Sequence, residues 1–290
     1  MRTLIAGCGY VGRELARRLL ADGEQVWGLT LAPADLPEGV RPLVADLREP
    51  DSLARLPEVD RVVFSAAPTR FDEASYRATY VRGLGNLVAA LGAAPSPPQR
   101  LVFCSSMGVY DQQDGSWVDE GSPTTTDKAN GLVMLECERL VQACPIPAIS
   151  ARIAGIYGGQ RCRVVRDVQA GTATTSPGPS VFTNLAHRDD CAGALRHLLT
   201  LRDPEDVYVI SDDEPVERNH LLLWLASLLQ VPAPVEGTGA ETSRWLAQRP
   251  GDLGKRLSNA RLRASGYRLQ HPTFRDGYAA IVAALDPPRA

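Results

Sequence analysis

The sequence predicts an α/β fold, a doubly wound parallel sheet with a smaller C-terminal lobe, on three observations. Strand and helix patterns alternate through the first two thirds of the chain, as they do where helices cross over between parallel strands. The chain opens on an apolar run that enters Gly7-Cys8-Gly9-Tyr10-Val11-Gly12 and continues into a helical pattern. Its 290 residues, 44% of them hydrophobic, suit two domains or one α/β domain with a substantial appendage, at roughly 150 residues per domain.

Each element has a local reason. GxGxxG alone is weak, but a strand before it and a helix after it give the context of a dinucleotide turn. Gly7 lets the strand reverse, Gly9 lets the backbone approach a pyrophosphate, and Gly12 lets the helix pack on the strand. The helix over residues 13–20 carries Leu15, Leu19 and Leu20 on one face. Its N-terminal N–H groups, beside Tyr10 and Val11, would face phosphates. Gln25–Thr30, 41–45, 61–65 and 100–104 read as the next strands, with helices between them, notably 72–94. A helix at 130–143 leads into a strand at Ala148–Ile153. Residues 171–180, rich in Gly, Pro, Ser and Thr, read as a loop over the active-site crevice. Helices follow at 191–199, 217–229 and 273–285, with a break at Pro232-Ala233-Pro234. Asp189 and Asp190 open the first of these and read as caps.

Composition excludes several classes. A net charge of -3 without a basic cluster gives no footprint for nucleic acid. No signal peptide and no bilayer-spanning apolar stretch is evident, so the expected location is cytoplasmic, away from membranes. The six cysteines show neither CxxC nor Cys/His metal spacing and read as buried thiols, with no metal expected. Cys8 reads as a small space-filling residue of the turn.

These motifs resemble the short-chain dehydrogenase/reductase superfamily, specifically its extended branch, the NAD-dependent epimerase/dehydratase family. The resemblance runs nearly end to end. Val44-Ala45-Asp46-Leu47 is similar to the segment whose Asp contacts the adenine, and Val63-Phe64-Ser65-Ala66-Ala67 to the strand that passes beside the cofactor. Val81 to Leu87 is similar to a family helix, Ser105 to Tyr110 to the serine motif, Arg152 to Gly158 to "R..N.YG", and Asn184 to Asp190 to "vHvdD". The resemblance implies a Rossmann-type domain over residues 1–155 plus about 185–210. It implies a discontinuous substrate lobe over about 156–184 plus 211–290. It further implies cofactor contacts from Gly7, Gly9, Tyr10, Val11, Gly12, Thr30, Asp46, Leu47, Ala66 and Ala67. A homodimer through the helices at 72–94 and 130–143 is usual in the family.

The catalytic set departs from the family. There a Tyr-x-x-x-Lys pair is the general acid/base, and a Ser orients the substrate oxygen. Ser106 is kept, but the tyrosine position falls on Asn130 and the lysine position on Met134. An amide and a thioether cannot replace them. The chain's two lysines, Lys128 and Lys255, have Thr124 and Gly251 four residues before them, so no shift of register restores the pair. Tyr80 stands where a supporting Asn is usual. The resemblance therefore narrows to atypical members of the superfamily. Tyr80, Tyr110, Tyr157 and His187 are candidate substitute acids, each with a packing role as its alternative. Tyr80 is favoured because it puts a titratable phenol in a polar position of the set.

The second strand ends Gly28-Leu29-Thr30-Leu31-Ala32 without the carboxylate that selects NAD, so NAD or NADP is expected, with NADP favoured. Thr30 or Arg13 would receive a 2′-phosphate; Asp35 and Glu38 read as loop charges. The resemblance implies a small-molecule substrate, phosphorylated or nucleotide-linked. Arg161, Arg163 and Arg166 read equally as phosphate donors and as surface charge. Met107 and Gly108 replace the acidic pair of the family's dehydratases, which argues against dehydration. Two functions remain: an NAD(P)-dependent oxidoreductase or epimerase with a non-standard acid, or a cofactor-binding redox sensor or interaction protein without turnover.

Overall fold

The computed structural model describes residues 1–33, 35–70, 72–159, 161–178, 180–237 and 252–285. Seven strands form the central sheet: β1 (Arg2–Ala6), β2 (Gln25–Thr30), β3 (Arg41–Val44), β4 (Arg61–Phe64), β5 (Arg100–Ser106), β6 (Ala148–Ile153) and β7 (Val207–Ile210). Their order is β3-β2-β1-β4-β5-β6-β7, and every pairing is parallel. Chain order reverses between β1 and β4, which opens a crevice beyond their carboxyl ends. Leu4, Ile5, Val62, Val63, Phe64, Leu101, Val102 and Phe103 are fully buried. Such continuous apolar runs suit strands covered on both faces. Helices Tyr10–Ala21 and Arg188–Thr200 pack against each other, and helices Gly83–Gly92 and Ala129–Ala143 lie among the remaining cover.

The helix expected over 72–94 is real but not uniform. It runs α-helical over Glu73–Tyr76, widens to a π-helical stretch over Arg77–Arg82 and returns to α over Gly83–Gly92. Asp72 caps it by accepting from Ser75 N at 2.8 Å. A π stretch turns residues out of α register, often at a functional site, and this one carries Thr79 and Tyr80 to the crevice. Strand β5 runs two residues past the expected end, so both Ser105 and Ser106 ride on sheet backbone.

Beyond the sheet, Gly155–Tyr157 pairs in parallel with Leu185–His187, and Phe182–Thr183 pairs antiparallel with Val216–Glu217. A second apolar core gathers Tyr157, Val165, Val168, Leu221, Leu225, Phe274 and Tyr278. Leu257, Leu262 and Tyr267 join the first core instead. The described residues of 171–180 do not line the crevice. Ser176 N donates to Asn219 Oδ1 at 3.0 Å, which draws that segment onto helix Arg218–Leu229.

Asp190 corrects an expectation. The cap of helix Arg188–Thr200 is His187, whose Nδ1 accepts from Asp189 N at 3.3 Å. Asp190 is instead buried and holds the C-terminal chain, accepting from Gln270 N at 2.6 Å and His271 N at 2.9 Å.

Candidate functional site

The three glycines of the opening turn are kept for three different physical reasons. Gly7 has φ +87°, and a Cβ there would overlap the backbone of Ala66. A Cβ on Gly12 would come within 3.0 Å of Ile5 Cγ2 and of Gly7 O, so this glycine seats the helix on β1. On Gly9 a Cβ would meet nothing nearer than Gly7 O at 3.9 Å. The fold itself does not need that position bare. The helix's first backbone bond runs from Arg13 N to Gly9 O at 2.8 Å, so the preceding N–H groups have no helical partner.

A cleft of about 520 Å³ begins at this turn. Gly7, Gly9, Tyr10, Val11, Thr30, Asp46, Leu47, Ala66, Ala67, Tyr80 and Ser106 line it. Gly12 does not line it. Among the residues proposed for catalysis, Tyr110, Tyr157, His187, Asn130 and Met134 do not line it.

At the end formed by β2 and β3, Arg48 grips Asp46 through Nη2–Oδ2 at 2.6 Å and Nε–Oδ1 at 2.9 Å. Its guanidinium, hydrogen-bonded to the carboxylate, holds Asp46 below the usual carboxylate range. Arg48 lines the cleft and was not singled out from sequence; a basic residue two places after the adenine-segment Asp was the available signal. Arg13 faces Asp35 at 3.4 Å and does not line the cleft, while Thr30 Oγ1 donates to Ala32 O at 3.0 Å.

At the other end, Ser106 Oγ accepts from Gly108 N at 3.1 Å, which leaves the hydroxyl hydrogen available to a ligand. Tyr80 sits among Phe64, Phe103 and Tyr76, with ring centroids 6.4, 6.5 and 5.4 Å away. Burial pushes its phenol well above the ordinary tyrosine value, and among the described residues its hydroxyl has no hydrogen-bond partner. Asn130 is exposed on the first turn of helix Ala129–Ala143, whereas Met134 is 3% exposed and belongs to the core. That helix presses on the serine turn, since a Cβ on Gly131 would come 2.5 Å from Gly108 O. Lys128 pairs with Asp111 at 3.1 Å, Lys255 Nζ donates to Tyr110 O at 2.7 Å, and neither lines the cleft.

Tyr110 points into the core. Its hydroxyl donates to Asp119 O at 2.7 Å and accepts from Arg152 Nη1 at 2.9 Å. Arg152 also pairs with Glu138 at 2.7 Å, and Ser105 Oγ donates to Glu138 Oε1 at 2.6 Å. This buried network fixes the ends of β5 and β6 against helix Ala129–Ala143. Burial, with His271 adjoining, lowers the His187 pKa to about 4, so its imidazole is neutral at pH 7. One nitrogen or oxygen each of His187, Asp190 and His271 lie within 4.8 Å of one another. The Asp190 carboxylate already accepts from two backbone N–H groups, and contacts His271 Nδ1 at 3.0 Å and Tyr267 Oη at 3.2 Å. With both oxygens so engaged, the cluster reads as a hydrogen-bonded knot. Burial raises the Cys8 thiol to about 11, consistent with a space-filling role. Of the three arginines after Gly159, Arg161 alone lines the cleft; Arg163 pairs with Asp167 at 3.3 Å on an exposed helix face.

Comparison with known proteins agrees with this geometry. Residues 3–210 match the model of the NAD dependent epimerase/dehydratase family. A dTDP-6-deoxy-L-talose 4-dehydrogenase (NAD(P)(+)) from Kitasatospora kifunensis is 30% identical over 263 residues, covering 84% of this chain and 76% of that protein. Protein YeeZ of Escherichia coli K12 is 28% identical over 244 residues, covering 80% and 85%. The structure of an NAD-dependent epimerase/dehydratase homologue from Methylobacillus flagellatus superimposes with a TM-score of 0.81 at 37% identity, over 98% of each chain. Among the described residues no helix is long and apolar enough to cross a membrane.

Proposed function

We propose that this chain, which belongs to the NAD dependent epimerase/dehydratase family, is an NAD(P)-dependent oxidoreductase or epimerase that works without the Tyr-x-x-x-Lys pair. The observation that carries the reading is Gly9: a backbone position left bare where no protein atom requires it, at the head of a cleft that ends at Ser106. Gly7, Gly9, Tyr10, Val11, Ala66 and Ala67 would hold the dinucleotide. Bound there, it would give hydride to a substrate carbon or take it away.

Ser106 has a hydroxyl hydrogen to donate to a substrate oxygen. Tyr80 stays neutral throughout the physiological range, since burial disfavours its phenolate. It is therefore assigned as a proton or hydrogen-bond donor rather than a base, which favours the direction that converts a carbonyl to an alcohol. Without a neighbouring ammonium to lower its pKa, the phenol is a weaker acid than the family's tyrosine, and turnover should be slow. NADP is the favoured cofactor: β2 ends without a carboxylate, and Arg48 lines the same end of the cleft. The substrate is assigned as a small nucleotide-linked or phosphorylated carbonyl or alcohol, in keeping with the relative that acts on a dTDP-linked sugar. A homodimer through the helices at 73–92 and Ala129–Ala143 belongs to the same reading; Leu132 on the latter is 46% exposed.

Calorimetric titration of NAD, NADH, NADP and NADPH into the wild type and Gly9→Asp tests the reading. Tight binding of at least one pair, lost in the variant, is expected. No binding to any of the four would overturn it. The exposed Asn130 and the core-bound Met134 favour one second reading, a cofactor-responsive protein without turnover. Candidate carbonyl and alcohol substrates that change neither nicotinamide absorbance nor their own configuration would favour that second reading.

A further inference from the structure

The ring of Tyr10 carries a guanidinium from beyond the first core. Arg161 Cζ lies 4.2 Å from the ring centroid, and Arg188 Cζ lies 5.7 Å from it. The two arginines differ in their partners. Arg188 is neutralised by Asp189 at 2.7 Å, whereas among the described residues no carboxylate lies within ion-pair distance of Arg161. Other arginines near the cleft are also engaged: Arg48 by Asp46 at 2.6 Å, and Arg13 by Asp35 at 3.4 Å. Among the described residues, Arg161 is thus the uncompensated cation of the cleft wall.

Its placement is built into the backbone. Gly158 and Gly159 have φ +115° and +50°, and Arg161 N donates back to Gly158 O at 3.0 Å, closing a tight turn. A Cβ on Gly158 would come 2.5 Å from His187 Nε2, and one on Gly159 would come 2.5 Å from Arg188 Nη1. The turn is therefore seated hard on both side chains. Tyr10 Oη donates to Gly158 O and ties the turn to the head of helix Tyr10–Ala21. A guanidinium stacked on an aromatic face uses its π surface and keeps its N–H groups free at the edge.

We propose that Arg161 is a phosphate clamp, reaching from the second core segment to the pyrophosphate of a dinucleotide held at the turn of residues 7–12. This rests on the dinucleotide reading above and adds to it a ligand contact that ties the second core to the first. The free N–H groups at the helix start meet the pyrophosphate from one side. The Arg161 fork meets it from the other, in the bidentate geometry that suits phosphate oxygens. The Tyr10 ring holds the guanidinium in place beforehand, so little side-chain freedom is lost on binding.

The test is calorimetric titration of NADP, NAD, ADP-ribose and AMP into the wild type, Arg161→Met, Arg161→Lys and Arg163→Met, at two salt concentrations. Arg161→Met should bind the dinucleotides and ADP-ribose about ten- to hundredfold more weakly, with a shallower salt dependence, while AMP, lacking the second phosphate, changes far less. Arg161→Lys should recover part of the loss, because a point charge replaces the fork, and Arg163→Met should match the wild type. The Arg161 side chain is exposed, so the unliganded thermal midpoint should hold and act as the folding control. Wild-type dinucleotide affinity in Arg161→Met overturns the clamp alone. An equal loss for AMP also overturns it. Absence of any dinucleotide binding by the wild type removes the functional reading on which the clamp stands.

Discussion

Replacing Gly7 by alanine and Gly9 by aspartate separates stability from ligand binding two residues apart. At Gly7 the cost comes from the fold. A non-glycine residue at φ +87° loses about 1–2 kcal/mol. The overlap of its Cβ with Ala66 adds an overpacking cost of about 1–3 kcal/mol. Together these give about 2–5 kcal/mol, and at about 2–4 °C per kcal/mol the thermal midpoint should fall by on the order of 10 °C. At Gly9 the built Cβ finds open space, and the residue is the N-cap of helix Tyr10–Ala21, where aspartate is among the favoured residues. The midpoint of Gly9→Asp should therefore stay within about 3 °C of the wild type. A carboxylate about 4 Å from a phosphate costs about 4 kcal/mol at an effective dielectric of 20, enough to weaken dinucleotide binding more than hundredfold. Differential scanning calorimetry and binding titration on the same samples read both quantities. An equal loss of stability in the two variants would refute the distinction drawn between them. A stable Gly9→Asp that binds NAD or NADP like the wild type would refute the pyrophosphate site itself.

Three further outcomes are expected. Arg152→Leu leaves the Glu138 carboxylate buried without its cation and should cost about 3–5 kcal/mol in urea unfolding, with Arg152→Leu/Glu138→Leu costing less than the single change. Burial raises the Asp212 carboxyl to about 8, and its Oδ2 has no partner among the described residues. The folded state therefore keeps a proton that the unfolded state gives up near pH 4, so this group's stabilisation is lost as pH rises through 8. His187 acts in the opposite sense: neutral in the fold down to about pH 4, it favours folding above pH 6.5 and loses that contribution on acidification. Between pH 6.5 and 8 Asp212 should dominate, and thermal melts of Asp212→Asn should be flatter than the wild type there and higher at pH 8. Tyr80→Phe keeps the packing against Tyr76 and Phe103, so dinucleotide affinity should stay within about twofold while any turnover falls by ~10² or more. Undiminished turnover would remove the phenol from the proton path.

What the sequence disclosed and what it withheld divide along the range of the interactions. Strands β2 and β6 fall where the sequence places them, to the residue. The three glycine roles were readable because the turn, its strand and its helix are contiguous. Strand β7 was not recognised as such, since Val207–Ile210 is four residues long and gains its strand identity from pairing with β6. Asp190 looked like a cap because its sequence neighbours are a helix start; its partners, Gln270 and His271, are some 80 residues away. Arg161 could not be separated from Arg163 and Arg166 by composition, and only the turn at Gly158 and Gly159 aims one of the three at the cleft. The same division bears on the proposed reading, in which Asn130 and Met134 stand at the family's acid/base positions. At 3% exposure Met134 fills core between the helix and the sheet, and a lysine there would have to bury its ammonium. Restoring tyrosine at the exposed Asn130 is sterically open, whereas restoring lysine at Met134 would penalise the fold. On that reading the two family positions have diverged to different depths. Rebuilding the acid/base pair would then require repacking the helix, and the proposed activity falls to the two proposed catalytic residues that line the cleft, Ser106 and Tyr80.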